Sequence, residues 1–223
     1  DRHRELAHFI TAMGGVDCSG AAALPSNYNV SPSQSAWVVH GSSGNAAVSA
    51  MSWGFVPEWA SETRFTRPIN ARSETAHEKP MFRTAFSKQR CLVLCDGYYE
   101  WQRLSKGHKQ PHYFCLPLGA PMILAGLWSS NDRLTGNVLQ TFCVLTVSAS
   151  PVVNSVHHRM PVILDQEGQS AWLDPARPEE AALRPWLRPW EGEIEVAPVS
   201  TFVNSPVNNS AQCIQPLQAD SAP

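Results

Sequence analysis

Apolar residues recur along this chain in two rhythms. Over residues 1–14, Leu6, Phe9, Ile10 and Met13 repeat at three- and four-residue intervals and stop at Gly14-Gly15. That period predicts an amphipathic helix ended by glycine. After a loop of small residues the rhythm changes. The stretches "AWVVH", "AVSAMSWGFV", "CLVLC", "YYEW", "HYFCLP", "PMILAGLW", "LQTFCVLTV" and "MPVIL" are short, rich in β-branched and aromatic residues, and bounded by Gly, Pro, Asn and Asp. They read as strands. Residues 73–89 predict one or two short helices interrupted at Pro80, since proline removes a helical donor and clashes with the preceding turn. "DPARPEEAALRPWL" predicts another helix with Pro178 in its first turn and acids close to the positive end of its dipole.

The strands do not alternate with helices of crossover length, which argues against a doubly wound parallel sheet. The pattern predicts an α+β fold: a strongly curved, largely antiparallel, barrel-like and bifurcated β-sheet with peripheral helices. No internal repeat or long linker divides the chain. Residues 1–217 are therefore expected to form one domain and residues 218–223 a frayed tail.

Composition narrows the class. With 223 residues, 43% hydrophobic and 16% charged, the chain can bury a substantial core and is not dominated by disorder. No apolar run approaches the roughly 20 residues of a membrane span, and the charged amino end does not resemble a signal peptide. A cytoplasmic address without a membrane partner is expected. The six cysteines show no C-x-x-C spacing, and four sit in apolar runs. Reduced, buried thiols fit that placement better than a disulfide framework or a zinc site.

Net charge is −2, yet it is unevenly spread. Residues 64–109 carry ten basic against four acidic side chains, a net of +6, while residue 165 to the end carries nine acids against three arginines, a net of −6. Such asymmetry is compatible with one basic face meeting a polyanion.

Three segments place reactive side chains at the edges of predicted strands. In "RPINARSET", Asn70 and Arg72 share a face if extended; they read either as a turn Asn beside a surface Arg, or as an orienting amide and a phosphate-gripping guanidinium. In "CDGYYEW", Asp96-Gly97 marks a turn or bulge, after which Tyr98, Glu100 and Gln102 share one face and Tyr99 and Trp101 the other. Glu100 is either a strand residue on a wet face or a general acid/base whose proton is held by its aromatic surroundings. In "VNSVHHRMPVIL", the paired histidines lack a second ligand pair, so no metal is assigned; one of them suits a proton shuttle, with Arg159 beside it. Trp53 and Trp59 offer stacking surfaces for bases or core packing alike.

Taken together, "YNVSP", "SWGFVPEW", "INARSET", "CDGYYEW", "HHRMPVIL" and "VNSPVNNSAQCIQPL" resemble, in this order from residue 1 to about residue 217, the SOS-response-associated peptidase family. The resemblance implies an abasic-site sensor that binds single-stranded DNA. It further implies that an amino-terminal cysteine forms a thiazolidine crosslink with the sugar, alongside lyase activity and self-processing. It casts Asn70, Glu100 and His157 as catalytic, and Arg72 and Arg159 as holders of flanking phosphates. Asn29, Pro32 and Trp59 would line the DNA path and part the strands. No cofactor is implied, and a monomer is expected. The family's leading Met-Cys-Gly-Arg does not precede Asp1, so a truncated start is expected; the chain as given would bind DNA without crosslinking it. The alternatives are a cysteine-type peptidase acting on other proteins and a non-catalytic single-strand-binding module.

Overall fold

The computed structural model describes residues 16–17, 25–42, 45–62, 66–134 and 136–218. The helix expected over residues 1–14, Cys18, Arg64 and the tail from residue 219 lie outside the described residues. The first strands are β1 (Val16–Asp17), β2 (Ser35–Ser42), β3 (Asn45–Trp53) and β4 (Asn70–Arg72). Two short helices follow, α1 (Ser73–Ala76) and α2 (Arg83–Lys88), with Pro80 between them as expected. Next come β5 (Arg90–Cys95), β6 (Gly97–Arg103), β7 (Lys109–Cys115), β8 (Met122–Asn131) and β9 (Leu139–Ser148). The last elements are α3 (Pro151–Asn154), β10 (Arg159–Pro161), α4 (Gln166–Leu173), α5 (Glu180–Leu183) and β11 (Glu195–Pro198).

Five strands curl until their ends meet. β3, β2, β5, β8 and β9 pair antiparallel in that order, and β3 then joins β9 through the parallel pairs Ser52 with Thr141 and Trp53 with Phe142. The result is a ring of hydrogen bonds around a core that includes Met51, Leu92, Leu127 and Phe142, each at most 2% exposed. β5 is apolar along nearly its whole length because both faces are covered: the ring interior lies on one side, and Trp172 of α4 donates its indole N–H to the Cys91 carbonyl on the other. Gly126 of β8 sits where the walls are closest; a Cβ there would lie 2.9 Å from Cys91 Sγ and Val93 Cγ2.

At Asp96 the chain leaves the ring and enters a second, three-stranded sheet ordered β11-β7-β6. Gly97 makes the transition possible, since any Cβ would collide with the Phe114 carbonyl oxygen. The alternation expected from the sequence is present. Tyr98 stacks on Phe114 with ring centroids 4.7 Å apart and joins the main core. Tyr99 and Trp101 point the other way, into a satellite cluster with Tyr28, Tyr113, Phe202 and Val203.

Several elements depart from the sequence pattern. "MPVIL" contributes only Met160 and Pro161 to β10, and a single bridge between Ile163 and Leu124. The helix expected around Pro178 is limited to α5, which starts two residues later and ends before Pro185, whose ring cannot continue it. α4 and β11 were not signalled. "QEGQSAWL" bunches its apolar residues at one end, so it lacks a helical stripe. It is helical because Asp165 caps it, accepting from the Gly168 N–H at 2.7 Å.

Its other end depends on Arg90. This guanidinium, on a residue 6% exposed, donates from Nε to the Trp172 carbonyl and from Nη2 to the Asp174 carbonyl, each at 2.6 Å. Nη1 donates to the Phe86 and Ser87 carbonyls at 3.0 and 3.2 Å. One side chain thus satisfies the exposed carbonyls at the ends of both α2 and α4. Replacing Arg90 by Met keeps the stem's packing but strands these acceptors. The substitution is expected to lower unfolding free energy by about 3 kcal/mol or more, read as a reduced midpoint in chemical denaturation with an unchanged slope.

Candidate active site

Two of the three expected catalytic side chains meet where the sheets adjoin. His157 precedes β10 in a turn hydrogen-bonded back to α3: the Val156 and His157 amides both donate to the Val153 carbonyl, and Val153 is fully buried. The Gln102 amide of β6 donates to the Ser155 carbonyl at 2.9 Å, fastening this turn to the second sheet. Glu100 shares the Gln102 face. Its Oε1 accepts from the Trp101 N–H at 3.1 Å, and its Oε2 lies 3.7 Å from His157 Nδ1. Both side chains are about one-third exposed, 30% for Glu100 and 33% for His157.

That exposure matches the wet strand face that was one of the two sequence readings. Of the aromatics around Glu100 in sequence, only Tyr98 shares its face, because alternation carries Tyr99 and Trp101 to the far side. Glu100 is therefore open to water rather than sealed in an aromatic pocket. Tyr98 is half-buried with its hydroxyl inside, and this burial, reinforced by the nearby Glu100 charge, pushes its phenol well above the ordinary tyrosine value. His157 and His158 lie immediately before β10, and their rings touch with centroids 4.4 Å apart.

His157 Nδ1 lies 3.2 Å from both the amide nitrogen and the carbonyl oxygen of Arg159. In the neutral ring with its proton on Nε2, the Arg159 N–H donates to Nδ1; once Nδ1 is protonated it donates to the Arg159 carbonyl. The same nitrogen faces Glu100, so a proton arriving there has an acceptor carboxylate close by.

Asn70 and Arg72 project outward from β4 on either side of buried Ala71, as two-residue spacing requires. β4 runs parallel to β9, with Asn70 opposite Val144 and Arg72 opposite Thr146. β10 pairs antiparallel with the same strand, Arg159 opposite Ser148. Asn70 thus lies beside the second half of β9 and the His157 turn beyond its end, and neither Glu100 nor His157 is hydrogen-bonded to the Asn70 amide. The Arg72 guanidinium forms no hydrogen bond among the described residues and remains available to an anion.

Arg159 differs from Arg72. Its Nη1 and Nη2 donate to Glu74 Oε1 and Oε2 at 2.6 and 2.8 Å, and Nη2 also donates to the Thr146 carbonyl at 2.6 Å. A guanidinium so engaged is not an open phosphate site. Asn29 is likewise placed otherwise than the resemblance implies. It is 5% exposed, and its amide donates to the Val203, Ser205 and Asn208 carbonyls at 3.0, 3.0 and 3.1 Å. Its work is to hold the carboxyl-terminal turns against the second sheet. Pro32 stands exposed in the Ser31–Gln34 turn, whose Ser33 adopts a φ of 73°. Trp59 is 52% exposed on a turn that Asn131 secures by donating to the Pro57 and Ala60 carbonyls. It lines a cleft with Phe55, Glu58, Met81, Gln89 and Arg133, which neither Glu100 nor His157 reaches. Trp53 packs in the fold, donating its indole N–H to the Ile69 carbonyl.

One further group could not be anticipated from sequence: Glu74, whose partner Arg159 is 85 residues away. The thiols Cys91, Cys95 and Cys143 are held protonated by burial, Cys95 being pushed up to about 12; none offers a thiolate nucleophile at neutral pH. Among the described residues no three His, Cys, Asp or Glu side chains converge as a metal site. No helix among them is long and apolar enough to cross a membrane.

The comparisons with known proteins agree with one another. The chain is 35% identical over 191 residues to the abasic site processing protein YoqW of Bacillus subtilis, covering 85% of each. It is 34% identical over 193 residues to the abasic site processing protein HMCES of Gallus gallus, covering 75% of this chain and 57% of that one. A crystal structure of a Bacteroides thetaiotaomicron protein superposes with a TM-score of 0.83 at 26% identity, covering 95% and 96% of the two chains. The sequence profile of the family described as "SOS response associated peptidase (SRAP)" matches residues 3–206. With most of its length matched, this chain belongs to the SOS response associated peptidase family.

Proposed function

We propose that this protein processes abasic sites in single-stranded DNA, using Glu100 and His157 as its acid/base pair. The observation that carries the reading is the 3.7 Å approach of Glu100 Oε2 to His157 Nδ1 at a water-accessible junction. Exposed Asn70 and Arg72 on the adjoining strand, and the abasic site processing names of the relatives, support it.

The nucleophile in this proposal is a cysteine at the mature amino terminus, ahead of Asp1. An α-amine has a pKa of about 7.7–8.0 against about 10.4 for lysine, so a useful fraction is neutral near pH 7. The amine attacks C1′ of the ring-opened sugar, and the carbinolamine loses water to give an imine. The thiol sulfur then adds to the imine carbon, its proton passes to the imine nitrogen as the C=N bond becomes single, and a thiazolidine ring closes. Glu100 moves protons on and off the amine and the departing hydroxyl. His157 acts on the sugar; where the imine is not trapped, removal of a C2′ proton breaks the C3′–O bond and releases the 3′ phosphate. Asn70 orients the sugar and the amine, Arg72 holds a flanking phosphate, and Pro32 and Trp59 line the strand's path. The same acid/base pair would serve the removal of the initiator methionine that exposes the cysteine.

The deciding experiment uses protein bearing the amino-terminal cysteine and a single strand with one abasic site. An adduct that survives denaturation is expected; its absence would refute the proposal. Turnover of an added peptide in trans, lost in His157→Ala, would instead favour a peptidase. Equal affinity for intact and abasic strands with no covalent product would identify a binding module. Glu100→Gln and His157→Ala are each expected to slow adduct formation or strand cleavage by about 100-fold, measured in single turnover. Arg72→Ala is expected to weaken binding across sequences and to reduce the slope of log affinity against log salt by about 1.

A further inference from the structure

The Arg159 side chain crosses the end of β9 to reach Glu74. Its two terminal nitrogens meet the two Glu74 oxygens as a fork, and the Thr146 carbonyl of β9 takes a third hydrogen bond. Three elements are thereby joined: α1, which directly continues the strand bearing Asn70 and Arg72; β9; and β10. The Arg159 side chain is 16% exposed, so the fork is shielded on the guanidinium side while Glu74, at 49%, borders solvent. Hydrogen bonding from Arg159 holds the Glu74 carboxyl below its ordinary value, so the fork is fully ionised near neutrality. The backbone of Arg159 is also what His157 leans on: its N–H and C=O both lie 3.2 Å from Nδ1, the nitrogen that faces Glu100.

We infer that Glu74 is a positioning residue of the acid/base site, which through its fork onto Arg159 fixes the backbone that sets the tautomer and orientation of His157. The inference rests on the reading of Glu100 and His157 as that site. Without the fork, Arg159 has one fixed anchor left at Thr146, and β10 has only three residues of pairing with β9 to keep its place. The imidazole would then lose the fixed backbone amide and carbonyl that hold Nδ1 in place. Glu74 touches neither substrate nor reacting atoms; it acts on rate through geometry. An ion pair whose fork spans two segments 85 residues apart, one carrying Asn70 and the other His157, sets the spacing between the two sides of the site.

The test compares wild type, Glu74→Ala and Glu74→Asp, all carrying the amino-terminal cysteine. The probes are a strand with one abasic site and a strand with its uncrosslinkable tetrahydrofuran analogue. Glu74→Ala is expected to leave affinity for the analogue strand within about threefold. The adduct rate at saturating DNA should fall by at least about tenfold, and Glu74→Asp should recover part of it. Nitrogen-15 shifts of the His157 ring should show one predominant neutral tautomer in wild type and a mixture in Glu74→Ala. Tighter strand binding with an unchanged rate would overturn the inference and make Glu74 a competitor of phosphate for Arg159. A slower rate with a lower melting temperature but an unchanged tautomer would overturn it too, leaving a purely structural ion pair. If wild type forms no adduct, the functional reading fails, and the tautomer comparison alone decides whether Glu74 positions His157.

Discussion

β9 accepts partners along both edges, and the site depends on that saturation. One edge carries β8 and then β10; the other carries β3 and then β4. A strand paired on both sides cannot slide without breaking two ladders, and a one-residue slip would turn every side chain to the wrong face. The residues appended to it inherit this fixity. Asn70 and Arg72 stand where β4 meets Val144 and Thr146, and Arg159 stands opposite Ser148. Neither β4 nor β10, three residues each, would hold its place alone.

The second sheet supplies the other half of the site, and the hinge between the halves is a single residue, Asp96, followed by a glycine that no other residue can replace without collision. The change of sheet re-aims β6 so that Glu100 faces the His157 turn instead of the ring interior. Gln102 completes the docking by donating to Ser155. The approach of Glu100 to His157 therefore follows from three separable constraints: the β9 ladders, the Asp96-Gly97 corner, and the Gln102 tie.

Much of this was legible in the sequence wherever periodicity reports burial. The strands of the ring were readable because each is bounded by turn residues and packed on at least one face, and the alternation of Tyr98, Glu100 and Gln102 against Tyr99 and Trp101 followed from a period of two. α4 was hidden because its stability comes from Asp165 at one end and from Arg90, far off in sequence, at the other. The site was legible in parts. Asn70 and Arg72 are exposed together as their spacing required, whereas the openness of Glu100 to water ran against its aromatic neighbourhood, because sequence adjacency on a strand places neighbours on opposite faces. Asn29 was assigned to the DNA path by the resemblance alone; three distant carbonyls occupy its amide, and no local pattern in the sequence reports them.

The two arginines near the site show how far residue type underdetermines role. Arg72 and Arg159 both follow a polar residue by one or two positions and both lie beside β9, so either could hold phosphate on chemical grounds alone. What separates them is a carboxylate. Glu74 follows Arg72 by two residues, yet its fork closes on Arg159, because α1 turns the chain back across the end of β9 toward β10. The local acid thus leaves its near neighbour open and occupies the distant one. A guanidinium that must carry a mobile polyanion benefits from having no fixed partner, while one that must hold a loop needs a bidentate one. The fold gives Arg159 the bidentate partner and leaves Arg72 without a hydrogen bond among the described residues, so the backbone against which His157 rests is anchored independently of Arg72.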